Sequence, residues 1–194
     1  MARSKEFDKT VVLRKAMEVF GHYGYEGASL QLLLDELGIA RQSLYDTYGT
    51  KRDLFVQAVK HYVNEKSDAV VAYLTKTDSV KQAITEIFHS IVETLTDEER
   101  RKECLILNSA IDQVPHDPEI GKLFMEDKNR LEAALYQALA HGREKGEINP
   151  DRDLRAMAQY LYHARYGLTQ AAKLTDDPKD LQQIMSITLS VMEK

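Results

Sequence analysis

Apolar residues recur along most of this chain with the spacing of an α-helix. Val80, Ile84, Ile87, Phe88, Ile91 and Leu95 fall on one helical face, and Ile120, Phe124, Leu131, Leu135 and Ala138 on another. Leu154, Met157, Ala158, Leu161, Tyr162 and Leu168 form a third stripe. No run alternates with period two for long enough to predict a strand. Helix starts are marked as well. Asp117-Pro118, Asn149-Pro150 and Asp177-Pro178 each place a capping side chain before a proline at the first helical position. Ser79-Val80-Lys81-Gln82 reads as a capping box, and Thr50-Lys51-Arg52-Asp53 as a variant with aspartate in place of glutamate. The pattern predicts an all-α fold of about nine helices.

The first fifty residues have a finer grain, with short helices separated by glycine-bearing turns at Gly21 to Gly27, Gly38 and Gly49. After Thr50 the predicted helices lengthen. This places a boundary near Lys51, with a small domain over 1–52 rigidly joined to a larger helical domain over 53–194.

Residues 29–48 carry the sharpest local signal. Ser29 can cap a short helix, Leu30 to Leu37, with Leu30, Leu33, Leu34 and Leu37 facing inward. Gly38 supplies the positive φ that ends it, Ile39 plugs the turn, and a second short helix follows from Ala40 to Thr47. Two helices joined this way form either a plain helical hairpin with a solvated polar face or a motif whose second helix enters the DNA major groove. Leu44 points to the core and leaves Arg41, Gln42, Ser43 and Tyr45 outside. Arg41 can donate to guanine O6 and N7, and Gln42 can pair with adenine N6 and N7. Ser43, Tyr45 and Tyr48 offer hydroxyls suited to phosphates, and Lys51 adds a cation at a helix start.

The stretch from Val12 to Phe55 resembles the N-terminal domain of the TetR/AcrR family of bacterial transcriptional regulators. The resemblance rests on Ala16 and Phe20, Gly24-Tyr25, Ser29, Gly38-Ile39, Ser43-Leu44-Tyr45, Tyr48 and Lys51. It implies a homodimeric repressor whose helix-turn-helix domain binds a palindromic operator in double-stranded DNA. A small effector bound in the larger domain would release that DNA. DNA contact is thereby carried onto Ser29, Arg41, Gln42, Ser43, Tyr45, Tyr48 and Lys51. Two residues depart from the pattern: Ala40 stands where a capping Ser or Thr is frequent, and Leu34 replaces a small alanine.

The same resemblance places an effector cavity in the C-terminal domain. Its candidate liners from the first part of that domain are Tyr62, Phe88, Cys104, Leu107, Asn108 and Ile111. Phe124, Tyr136, Tyr162 and Tyr166 complete the set. With few cations among them, the set predicts a medium-sized, partly aromatic effector. The last two helices are expected to pair two copies through Leu154, Leu161 and Leu168, together with Leu181, Ile184, Met185, Thr188, Val191 and Met192; the alternative is that this face closes the monomer core. Cys104 has two readings. It is a small buried hydrophobe, or a thiol activated by Arg100, Arg101 and Lys102, in a segment that resembles one found in a TetR subgroup.

Composition adds boundaries. The chain has 194 residues, 43% apolar and 29% charged, enough for a substantial core without disulfides. A single cysteine and a polar start, MARSKEFDKT, point to the cytoplasm and away from a signal peptide. The longest apolar run, Ala69 to Leu74, is too short to span a membrane. Gly21 to Gly27 lacks the strand context of a phosphate loop, and Glu86-Ile87-Phe88-His89 lacks the second Glu-x-x-His of a di-iron bundle. No Cys-x-x-Cys, His-Glu-x-x-His or Gly-x-Ser-x-Gly occurs. A non-enzyme without cofactor or metal is therefore expected. The competing class is a helical small-molecule binder or enzyme whose N-terminal helices are only structural. Taken alone, a sequence pI of 5.7 and a formal net charge of −5 argue against a nucleic-acid partner. Yet residues 1–52 hold eight Lys/Arg against seven Asp/Glu, and the remainder 18 against 24. The acidity belongs to the body, and the head must rely on where Arg41, Lys51 and Arg52 are placed.

Overall fold

A computed structural model describes residues 8–175 and 177–193, with Glu103 described in its backbone alone. Among the described residues there are ten α-helices, a closing 3-10 turn at Ser190–Met192, and no strand. Two of the helices, α6 (Arg100–Cys104) and α7 (Ile106–Gln113), are parted only by Leu105. Taken as one, they leave nine. The polar N-terminal segment, including Arg3 and Lys5 of the head's charge balance, lies outside the described residues.

The chain divides into two compact units, each assembled from two segments. The first comprises residues 1–63 and 102–121. It holds α1 (Lys9–Gly27), α2 (Leu30–Leu37), α3 (Arg41–Tyr48), the first half of α4 (Lys51–Lys76), α7, and the start of α8 (Pro118–Glu144). The expected boundary at residue 52 assigns 102–121 to the larger domain; by packing, that segment joins the head, because α7 lies against α1. Gly21 makes this possible. It is not part of a turn but lies within α1, where a Cβ would come within 2.5 Å of the Lys102 carbonyl oxygen. Ser109 then donates from its hydroxyl to the Phe20 carbonyl at 2.9 Å. The bend expected between Gly21 and Gly27 is confined to Gly24, with φ at +72°.

The core of this unit is apolar and partly aromatic. Phe20, Phe55, Leu33, Leu44 and Leu54 are fully buried, and the Phe20 and Phe55 rings meet edge to face with centroids 4.9 Å apart. Helices α2 and α3 are set by their ends. Ser29 accepts from the Leu32 amide at 3.1 Å, and Gly38 closes α2 in the left-handed region with φ at +65°. Helix α3 starts at Ala40 with no side-chain cap, as its departure from the family pattern implies. Helix α4 starts on the Thr50–Asp53 box, in which Asp53 accepts from the Thr50 amide at 2.9 Å.

The second unit comprises residues 64–101 and 122–194. It holds the rest of α4 and α8 with α5 (Val80–Thr96), α9 (Leu154–Ala171) and α10 (Pro178–Leu189). Helix α5 packs on both α9 and α10. The predicted caps at Ser79 and Asp177 are present, accepting from the Gln82 and Lys179 amides. Asn149-Pro150, by contrast, starts no helix: Asn149 accepts from the Asp151 amide in a turn, and α9 is capped instead by Asp153, which accepts from Arg155 and Ala156. No helix among the described residues is long and apolar enough to cross a membrane.

Candidate functional site

On α3 the helical period does the sorting. Leu44 is fully buried, while Arg41, Gln42 and Tyr45 are exposed and Ser43 is half-buried. Gln42 donates from its amide to Asp46 at 2.7 Å, which fixes its direction along the outer face. Ser29 is exposed, so its hydroxyl can cap α2 and still donate outward. Lys51 stands at the head of α4 with its ammonium 4.6 Å from the centre of the Tyr25 ring. An exposed polar helix, a cation and a capping hydroxyl thus belong to one unit.

Two residues behave differently from expectation. Tyr48 is turned inward rather than offered to phosphate. It is 4% exposed, and its hydroxyl donates to the Lys9 carbonyl at 3.2 Å, tying α3 to α1. Burial, with Asp8 nearby, raises its pKa. Arg52 is engaged by carboxylates of its own unit. Its guanidinium grips Asp117 through two bonds of 2.7 and 2.8 Å and reaches Glu119 at 3.0 Å. The pairing holds the Asp117 carboxyl below the usual aspartate range and Arg52 above the usual arginine value. Asp117 also caps α8, accepting from Glu119 and Ile120 amides. Tyr25, the stacking platform for Lys51, and the Arg52–Asp117 clasp were not foreseen. A tyrosine in the Gly24-Tyr25 turn was the available signal for the first. The second joins residues too far apart in sequence for any local pattern.

The expected effector liners fall into two groups. In the first unit, Tyr62, Cys104, Leu107 and Asn108 are buried and Ile111 is half-buried. The Tyr62 hydroxyl donates to the Cys104 sulfur at 2.9 Å. Cys104 is thus a packed thiol, and Arg100 upstream pairs with Asp97 at 3.1 Å. In the second unit, Tyr162 and Tyr166 gather on α9 beside Phe124 and the buried Asp127 of α8. Asp127 accepts from Ser67 through one oxygen and, at 3.4 Å each, from the Tyr162 and Tyr166 hydroxyls through the other. Arg130 stands 3.6 Å from it. Burial raises the Tyr162 pKa and pushes that of Tyr166 up to about 12. Sequence reasoning named the aromatic members but missed Asp127, Ser67 and Arg130, since a lone polar residue on an apolar stripe carries no spacing signal.

Two other expected liners lie elsewhere. Phe88 is buried in the packed face of α5, and Tyr136 is exposed. The second unit also has a cleft of about 440 Å³ near the α4–α5 turn, lined by Leu74, Val80, Ala138 and His141 among others. None of the expected liners contributes to it. Among the described residues, no group of three or more His, Cys, Asp or Glu could hold a metal ion. Glu86 instead accepts from the Gln82 amide and the Tyr73 hydroxyl.

The expected dimer face is mostly spent inside the second unit. Leu154, Leu161, Leu168, Leu181, Met185, Thr188 and Met192 are buried there. Positions 181, 185, 188 and 192 repeat at helical spacing and close the core, so they cannot also meet a second copy. Val191 is half-buried in the 3-10 turn. Ile184, 40% exposed, belongs to the adjacent stripe, which continues through Ile187, 69% exposed. Tyr160 on α9 is also exposed, at 44%.

A short helix closed by a left-handed glycine, followed by an exposed polar reading helix, defines a helix-turn-helix DNA-binding head on an all-helical body. Known proteins agree. Residues 12–58 match the model of bacterial regulatory proteins of the tetR family, and residues 80–188 that of the tetracyclin repressor-like C-terminal domain. The chain is 53% identical over 194 residues, the full length of both, to the HTH-type transcriptional regulator YezE of Bacillus subtilis. It is 28% identical over 188 residues to the repressor ComR of Escherichia coli, covering 96% of this chain and 90% of ComR. Among solved structures, a cysteine mutant of the TetR-family regulator CifR, complexed with 26 bp operator DNA, superposes with a TM-score of 0.82. It is 26% identical, and the match covers 96% of this chain and 98% of that one. This chain belongs to the tetR family and is a DNA-binding transcriptional regulator.

Proposed function

We propose that the protein is a homodimeric, effector-responsive repressor acting in the bacterial cytoplasm, with residues 1–52 reading DNA and 53–194 serving effector binding and dimerisation. The observation that carries the DNA-reading part is the sorting of α3: Leu44 and Tyr48 are buried while Arg41, Gln42 and Tyr45 are exposed on the outer side. Arg41 reads a base, Gln42 a second, and Ser29, Ser43, Tyr45 and Lys51 hold phosphates. The operator complex of the CifR mutant and the repressor name of ComR support this reading. Tyr48 is dropped from the contact set.

Two copies pair through α9 and α10, using Tyr160, Ile184 and Ile187 in place of the buried leucines. Two heads on a two-fold axis then meet a palindromic site in successive major grooves about 34–36 Å apart. An effector releases the operator only in so far as it prefers the dimer that cannot span both grooves.

The test is binding to labelled DNA from upstream of the protein's own gene across a salt series. Sequence-preferring, steeply salt-dependent binding is expected. Absence of binding even at low salt would defeat the reading and leave a helical small-molecule binder or enzyme.

A further inference from the structure

The charged groups of the second unit's interior are unequally provided for. Asp127 has four donors around it: Ser67, the Tyr162 and Tyr166 hydroxyls, and Arg130. Arg130 in turn is held by Asp68 at 2.5 Å. Arg165, one residue before Tyr166, is not so served. Its Nη1 is buried and has no hydrogen-bond partner among the described residues. Its guanidinium carbon lies 5.8 Å from the centre of the Tyr162 ring and 5.9 Å from that of Tyr166. Those contacts favour the cation but do not satisfy a donor. A buried N–H of a charged group left without an acceptor is among the more costly defects a fold can hold. Natural interiors seldom keep one unless something else supplies the acceptor.

What would supply it can be narrowed by charge and shape. The neighbouring rings, Phe124 and Tyr166 at 6.0 Å and Tyr162 and Tyr166 at 5.3 Å between centroids, offer apolar surface next to the orphaned donor. An organic cation would meet the like charge of Arg165, and it would find an Asp127 already supplied with donors. A polyanion would balance Arg165 once and then face the Asp127 carboxylate with its remaining charge. One negative charge on an apolar body meets both constraints.

We propose that Arg165, with the rings of Phe124, Tyr162 and Tyr166, is the anchor of the effector site and takes a small apolar monocarboxylate. One carboxylate oxygen accepts from Nη1, the body lies against the rings, and Asp127 fixes the two tyrosines. This rests on the effector-responsive reading above and names the chemical class of that effector.

The test uses the full-length protein and three probes of similar size in isothermal titration: benzoate, benzamide and benzyltrimethylammonium. Benzoate is expected to bind best, benzamide more weakly, and the cation not at all. Arg165→Gln should weaken benzoate about ten- to a hundredfold, the loss of one charge-assisted hydrogen bond. If that variant fails to fold by circular dichroism, Arg165→Lys, which keeps the charge and loses the planar fork, should weaken benzoate measurably in a folded protein. Equal benzoate binding by wild type and a folded Arg165 variant overturns the proposal. So does preference for the cation, or no binding of any probe. Operator release is read in parallel. Arg165-dependent benzoate binding without release supports the site and defeats the release mechanism. Release by another compound that is indifferent to Arg165→Gln does the reverse.

Discussion

Lys51 and Arg52 are adjacent and carry the same charge, yet their surroundings give them different work. Lys51 lies over the face of Tyr25, a contact that leaves its ammonium able to donate to a phosphate. Arg52 is occupied by Asp117 and Glu119. Lys51→Ala is therefore expected to weaken binding to all DNA sequences alike and to lower the salt slope by about one. Arg52→Ala should leave that slope unchanged, a contrast that fluorescence anisotropy at several salt concentrations would read. Arg41→Ala should instead cost about 1–3 kcal/mol at one base position in each half-site. The clasp also predicts a pH dependence. Because Arg52 lowers the native pKa of Asp117, the stabilisation is fully present above the ordinary aspartate value of about 3.9 and lost as pH falls through the lowered value. Asp117→Asn retains an amide oxygen to cap α8 but forfeits the ion pair. Its melting temperature should fall less steeply than that of wild type across this acid window. Parallel acid dependence of the two proteins would show that the clasp adds nothing.

At the scale of the element, α1 shows what local pattern can and cannot reveal. The helix pair α2–α3 was legible because its determinants are contiguous: four leucines at helical spacing, a capping serine and Gly38 at the one position that demands positive φ. The seam between α1 and α7 was not legible, since it joins residues more than eighty positions apart. Gly21 read as part of a turn because a glycine kept for close approach and one kept for a bend look alike in sequence. The geometry separates them, for Gly24 carries the positive φ and Gly21 carries the contact. Gly21→Ala should favour the helix intrinsically, but its Cβ meets a backbone oxygen, which cannot rotate away. The variant is expected to lose about 1–3 kcal/mol net, the usual cost of overpacking. Urea unfolding would report it, and a Gly21→Ala protein as stable as wild type would mean that α7 yields at little cost. Gly27, where a Cβ meets only an ordinary contact at 3.7 Å, is the control.

For the whole molecule, the question is which apolar face of the C-terminal helices holds the chain together and which one is left for the proposed pairing with a copy. Sequence periodicity merged the two, because the stripes through Met185 and Ile187 are neighbours on α10, and both are apolar. Burial parts them: Leu181, Met185 and Thr188 are interior, whereas Ile184 and Ile187 expose β-branched side chains that the monomer leaves uncovered. The two stripes should then fail differently. Met185→Ala opens a cavity in the core and should cost about 2–5 kcal/mol. Its oligomeric mass should stay unchanged wherever it remains folded. Ile187→Glu costs the monomer little, since a carboxylate there stands in water. In a two-fold pair it would be desolvated near the axis, close to its own symmetry mate. Light scattering behind size exclusion should therefore find this variant as a monomer. Its operator affinity should collapse as well, because a monomer contacts one half-site and forfeits the effective concentration that linkage gives the second head. An Ile187→Glu protein that keeps both the dimeric mass and operator binding would remove α10 from the interface and return the pairing surface to α9 around Tyr160.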